Sequence, residues 1–420
     1  DITPLRETTA AGAATFAASN GSSIITVTDT AHGCSENDFV TFSGAASLGG
    51  LVTAEVLNQE YQVFNVVNAS SYQIKARAVA TLSNITIDGQ YTPTLIVANG
   101  SDTGNGGGSI VFKYQITTGL DTTVAGTGWG AATYGRGTWG SGATLTAVGD
   151  ILRIWTHDNF GEDLIINVRD GGIYYWDKST SSAPYQRAVA LSDLAGADDT
   201  TPTIAKQVLI SDRDRHVLVF GCDAQDNIGV QDPLLIRFSD QSNPLVWAAQ
   251  ATNTAGDLRI GTGSEIIAAV ETRQQILVFT DRSLHAMQYL GPPFTFGISL
   301  ISENVTIASP LSAIAVDDSV YWMGEEEFYV YTGQVQKLPC SVRSYVFGDF
   351  NTAQVEKVTA AVNSSFSEIW WFYPSAGSDT NDKYVIFNYQ EQAWYYGTIA
   401  RSAWIDRGIS QYPISAGLDG

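Results

Sequence analysis

The chain has 420 residues, 44% of them apolar, and a formal net charge of −21 with a pI near 4.4. That length supplies a large core and two or three domains, and the acidity speaks against a surface that grips nucleic-acid phosphates, which needs clustered Lys and Arg. Three scattered cysteines (Cys34, Cys222 and Cys340) make neither a disulfide framework nor a zinc site, and no apolar run approaches the roughly 20 residues of a membrane span.

The composition is rich in Gly, Ser, Thr, Ala and Asn and lacks long Leu-, Glu- and Lys-rich stretches at helical spacing, which favours an all-β protein. The chain opens on Asp1 with no signal peptide, and residues 1–7 read as a lead-in strand. Residues 8–92 read as a small β domain. Its strands are expected at 23–28, 39–42, 61–67 and 72–76 between Gly-, Asn- and Ser-rich turns, with one short helix over 53–59.

Residues 93–145 change character. A nearly pure glycine run at 104–108 is followed by Trp129, Tyr134 and Trp139, five apart and each followed directly by a glycine. Rings so spaced suit an extended arm that docks on another surface, an assembly arm. The other reading is a mobile linker, but linkers seldom carry two Trp and a Tyr.

From 146 to 420 one phrase recurs: an apolar β run, a short polar turn, then an aromatic-rich run. It stands at 164–176, 275–289, 319–331 and 383–396. Further strands are expected at 151–155, 217–220, 234–238, 266–270 and 369–373. Sheet-sized units repeated in this way predict an irregular β-propeller of five or six blades with the small β domain inserted near its start. The chain stops at a turn signal after Ala416, so it reads as an internal piece of a longer protein whose last blade is cut off.

Catalytic chemistry is not expected. His32, His157, His216 and His285 fall in no metal-ligand spacing, and neither a Gly-X-Ser-X-Gly elbow nor a phosphate-binding glycine loop is present. The acids Asp212, Asp214, Asp223 and Asp226 read as turn solvation, since they lack the calcium-hand pattern. A carbohydrate-binding or carbohydrate-hydrolysing propeller is the alternative. Its carboxylates would come from Asp281, Asp317, Asp318 and Glu325 to Glu327, with Arg237, Arg259 and Arg282 to hold the sugar. The run from Asp170 to Trp176 only half resembles a sialidase Asp-box, so no catalytic, metal or cofactor residues are assigned.

The hairpins at 275–296 and 319–333, the run Trp370-Trp371-Phe372-Tyr373-Pro374, and the run from Asn381 to Asn388 leading into Trp394 resemble the tail nozzle (tail tube B) proteins of short-tailed bacteriophages. So do the opening Asp1 to Arg6 and the glycine arm around Trp129 and Trp139. The order of the phrases carries the resemblance, more securely over 125–400 than over 8–92.

The resemblance implies a virion structural protein of the phage tail, synthesised in the host bacterial cytoplasm and assembled as a hexameric ring. Its partners would be copies of itself, an adaptor, and tail fibres or tailspikes, with DNA sliding through the channel unbound. An acidic wall suits such a passage because like charge repels a polyanion.

Overall fold

The computed structural model describes residues 2–12, 14–79, 94–120, 122–123, 152–179, 186–408 and 410–417, and nearly all of its regular structure is β. Eight strands build the first unit: β1 (Leu5–Thr8), β2 (Thr15–Ala18), β3 (Ile24–Thr28), β4 (Phe39–Ser43), β5 (Glu60–Gln62), β6 (Asn65–Asn68), β7 (Ser71–Lys75) and β8 (Val111–Gln115). They form two four-stranded antiparallel sheets, ordered β1-β8-β4-β5 and β2-β3-β7-β6.

Alternation sets the inward face. In β3 and β7 every second side chain is buried, Ile25 and Val27 against Tyr72 and Ile74. Phe16, Phe42 and Phe112 meet edge-on or tilted between the two sheets, and each such ring is worth about 1.5–3 kcal/mol on burial. The expected short helix is present as Ala54–Leu57, capped by the Thr53 hydroxyl, which accepts from Val56 N–H. The segment 61–67 breaks into β5 and β6 at Val63 and Phe64. The unit reaches beyond 8–92 at both ends, because Leu5–Thr8 pairs with Val111–Gln115, whose Phe112 and Tyr114 enter the same core.

The second unit is a series of antiparallel meanders. The first sheet contains β9 (Trp155–Phe160), β10 (Asp163–Val168), β11 (Ile173–Trp176) and β12 (Val189–Ala190). The second contains β13 (Gln207–Ile210), β14 (Val217–Phe220), β17 (Leu235–Phe238) and β18 (Gly256–Arg259), with a side ribbon of β15 (Asp223–Ala224) and β16 (Asn227–Gln231). The third contains β19 (Ile266–Glu271), β20 (Ile276–Thr280), β21 (Ser283–Gly291) and β22 (Thr295–Glu303). The fourth contains β23 (Ala313–Val316), β24 (Ser319–Met323), β25 (Phe328–Tyr331) and β26 (Val335–Leu338). The fifth contains β27 (Thr359–Asn363), β28 (Glu368–Tyr373), β29 (Lys383–Asn388) and β30 (Ala393–Thr398), and a two-stranded ribbon of β31 (Ala403–Ile405) and β32 (Ile414–Ala416) follows.

The phrases at 164–176, 275–289 and 319–331 are the second and third strands of their sheets, as in β24–β25, paired Val320 to Tyr331 and Met323 to Phe328, whereas the phrase at 383–396 is the third and fourth strand of the fifth sheet. The expected strand at 151–155 lies further on, beginning at Trp155.

The first strands of successive sheets pack side by side: β9 on β13, β13 on β19, β19 on β23, β23 on β27 and β27 on β31. That is blade-on-blade stacking, and it gives an all-β, irregular propeller arrangement carrying a small N-terminal β unit. Faces between sheets are filled by apolar clusters. One joins Leu218, Phe220 and Ile236 of the second sheet to Val278, Met287 and Phe296 of the third. Another joins Phe328 of the fourth to Trp371, Tyr373 and Phe387 of the fifth.

Indole N–H groups then tie the sheets. Trp371 donates to Ser312 O at 3.0 Å, Trp394 to Pro339 O at 2.8 Å and Trp404 to Val362 O at 2.9 Å. These tryptophans, of which Trp394 belongs to a recurrent phrase, therefore join sheets.

Candidate functional site

The first strands run parallel to one another. Val208 and Ile210 of β13 donate backbone N–H to Thr156 Oγ1 (3.2 Å) and Asp158 Oδ2 (2.8 Å) of β9. Gln207 Nε2 and Oε1 pair with Ala269 O and N, each at 2.7 Å, and Asp212 N–H donates to Glu271 Oε1 at 3.2 Å. Leu311 and Thr359 form a parallel bridge, and Trp404 and Asp406 meet Val362 and Ser364 in the same sense. In each contact both residue numbers rise together, so the C-terminal ends of these strands gather at one end of the stack.

Acids collect there. Asp212 and Asp214 follow β13, Glu271 closes β19, Asp317 and Asp318 follow β23, and Asp406 follows β31. Asp158 points from β9 into the same seam.

Several of these groups are held away from their ordinary titration. Burial, reinforced by the charges of Asp212, Asp158 and Asp214, raises Glu271 to about 7 against the pull of the Asp212 N–H. Burial also raises Asp158, although the Ile210 and Asn159 amides oppose it. Asp214 is 8% exposed, and its Oδ2 has no hydrogen-bond partner. Asp214 and Glu271 line a small cavity of about 30 Å³ with Arg213 and Arg273 at its mouth and Tyr289 and Phe296 as its apolar wall. Behind it, His216 is fully buried, and burial lowers its basicity. Its Nε2 meets Thr254 Oγ1, which donates to Asp240.

Among the described residues no group of three or more His, Cys, Asp or Glu side chains could hold a metal ion. A second, apolar cavity of about 380 Å³ lies between Ile2 to Pro4 and the first sheet, walled by Trp155, His157, Leu164 and Ile166.

Most of the residues that a sugar site would draw on are engaged in local contacts of their own. Arg237 is buried over the Trp247 ring and donates to Thr200 O at 2.6 Å. Arg259 pairs with Asp232, and Arg282 with Asp281. Asp317 pairs with Arg273. Glu326 and Glu327 bind Arg343, and Glu327 also binds Lys337. Asp223 organises a turn by accepting from Thr203 and Gly229. Trp129, Tyr134 and Trp139 lie outside the described residues.

Sequence reasoning singled out Asp212 and Asp214 as turn acids but passed over Asp158, Gln207 and Glu271. The available signal was their place at or near the ends of short strands that begin each sheet.

No family model matches the chain, and no curated protein matches it. Among solved structures, the chain is similar to the extracellular domain of a one-component system from B. thetaiotaomicron, with 8% identity and a TM-score of 0.36 over 58% of this chain and 27% of that one. It is also similar to the endosialidase of phage phi92, with 10% identity and a TM-score of 0.21 over 87% of this chain and 46% of that one. The chain thus spans about a quarter and just under half of their lengths.

Proposed function

We propose that this chain is a structural protein of a short-tailed phage virion, a tail nozzle subunit that assembles into a hexameric ring around the exiting DNA. In that role it contacts the adaptor above and offers a platform for fibres or tailspikes. What supports the reading, besides the order of the phrases, is how the polar groups of the sheet seams are used: Gln207, Asp158, Glu271 and Arg169 all bond backbone of other sheets. Lys206 likewise bridges Asp170 and Glu265. A scaffold whose polar side chains hold its sheets together takes its function from its outer surfaces. With a net charge of −21 those surfaces repel DNA and let it slide.

Antibody-gold labelling of virions tests this reading. Label on the tail below the capsid is expected, and label on fibres alone or on no virion part would overturn it. Replacing Trp129, Tyr134 and Trp139 with Ser is expected to weaken ring assembly without unfolding the sheets. Unchanged assembly would remove the arm from the account.

A further inference from the structure

We propose that the carboxyl groups of Glu271, Asp158, Asp212 and Asp214 form a proton-operated latch, which holds the ends of β9, β13 and β19 together when a proton is bound and loosens them when it leaves. The inference stands apart from the assembly in which the chain works. It starts from hydrogen-bond inventory. An ionised carboxylate only accepts, so four of them crowded at one seam supply no donor. The buried Asp214 Oδ2 is left with an empty acceptor position. A protonated Glu271 adds the missing kind of group, an O–H, inside the cavity that both side chains line.

The groups facing Glu271 are Asp158 from β9, Asp212, Arg213 and Asp214 from the turn after β13, Arg273 from its own turn, and Tyr289 from β21. Arg213 is exposed, and Arg273 is 71% exposed and turned to Asp317 at 3.4 Å. The seam's backbone bonds from Ile210 and Asp212 end on two of these same carboxylates, so charge repulsion among them acts directly on the joint between sheets.

The direction follows from burial and like charge, which favour the neutral acid and bring Glu271 to about 7 in the folded chain. A raised acid stabilises the fold fully below its ordinary range, and that stabilisation is lost as pH rises through the raised value. The seam is therefore tight in mild acid and looser above neutrality.

The test is amide hydrogen exchange, read by mass spectrometry on peptides covering 207–214 and 266–275, corrected for the intrinsic pH dependence of exchange. Between about pH 5.5 and about pH 8.5, protection in the native protein is expected to fall about tenfold, one pKa unit being a factor of ten. Glu271→Gln keeps the high protection across the whole range. Asp214→Asn, which removes one like charge and brings its own N–H donors, shrinks the loss. Glu325→Gln, at an exposed acid in the turn between β24 and β25, leaves it unchanged. Protection that is flat or rises with pH in the native protein, or a Glu271→Gln variant that still loses protection, would overturn the proposal.

Discussion

The side-chain amide of Gln207 and the backbone of Ala269 exchange two hydrogen bonds, Nε2–H to O and N–H to Oε1, both at 2.7 Å. A single side chain thus reproduces a rung of strand pairing between the second and third sheets, where two parallel first strands sit too far apart to bond backbone to backbone. Gln207→Glu keeps the shape but loses the donor and sets a charge opposite Ala269 O. It is expected to cost about 1–3 kcal/mol in denaturant unfolding. A loss below about 0.5 kcal/mol would mean that the seam is held by its apolar faces alone.

In the small N-terminal unit Asp102, 3% exposed, gathers two loops. Burial works against its charge, yet the N–H groups of Gly50, Leu51, Val52 and Asn99, at 2.8–3.0 Å, hold its carboxyl below the usual range. A Cβ on Gly50 would come within 2.7 Å of that carboxylate, so only glycine fits the approach. Because the folded pKa is lowered, the stabilisation is present above the ordinary carboxylate range and lost as pH falls below it. Asp102→Asn is expected to lower stability by about 1–3 kcal/mol at neutral pH, with the difference from the native protein shrinking as acid protonates Asp102. A difference independent of pH would count against the charged acceptor.

Trp371 is fully buried and donates to Ser312 O across the joint between the fourth and fifth sheets. Trp371→Phe keeps most of the apolar contact and loses the bond, for a cost of about 1 kcal/mol. Trp371→Ala opens a cavity as well and costs about 3–5 kcal/mol. Calorimetry separates the two: a Trp371→Phe variant as stable as the native protein would show that the hydrogen bond contributes nothing, and equal losses in both variants would show that the apolar contact contributes nothing beyond it.

The strongly patterned middle strands were legible in the sequence. Val217–Phe220, Ser319–Met323 and Phe328–Tyr331 stand where alternation and aromatic content put them, because a strand buried on both faces must be apolar throughout. Of the first strands, Ile266–Glu271 was legible but several others were not. Ala313–Val316 and Thr359–Asn363 are short and Ala-rich, and they carry weak β preference of their own. They are strands because the neighbouring phrase pairs with them.

The acidic seam was hidden because it is made by stacking rather than by local pattern. Asp158, Asp212 and Glu271 are far apart in sequence, and only the parallel stacking of the first strands brings them together. Asp212 and Asp214 looked like solvated turn residues, which holds for exposed Asp212 but not for buried Asp214.

The most direct test of the central reading is electron microscopy of the full-length protein with its tail partners. The account expects a sixfold ring around an open passage, each subunit showing one irregular propeller. Single, unassociated propellers under conditions in which the partner proteins assemble would contradict it.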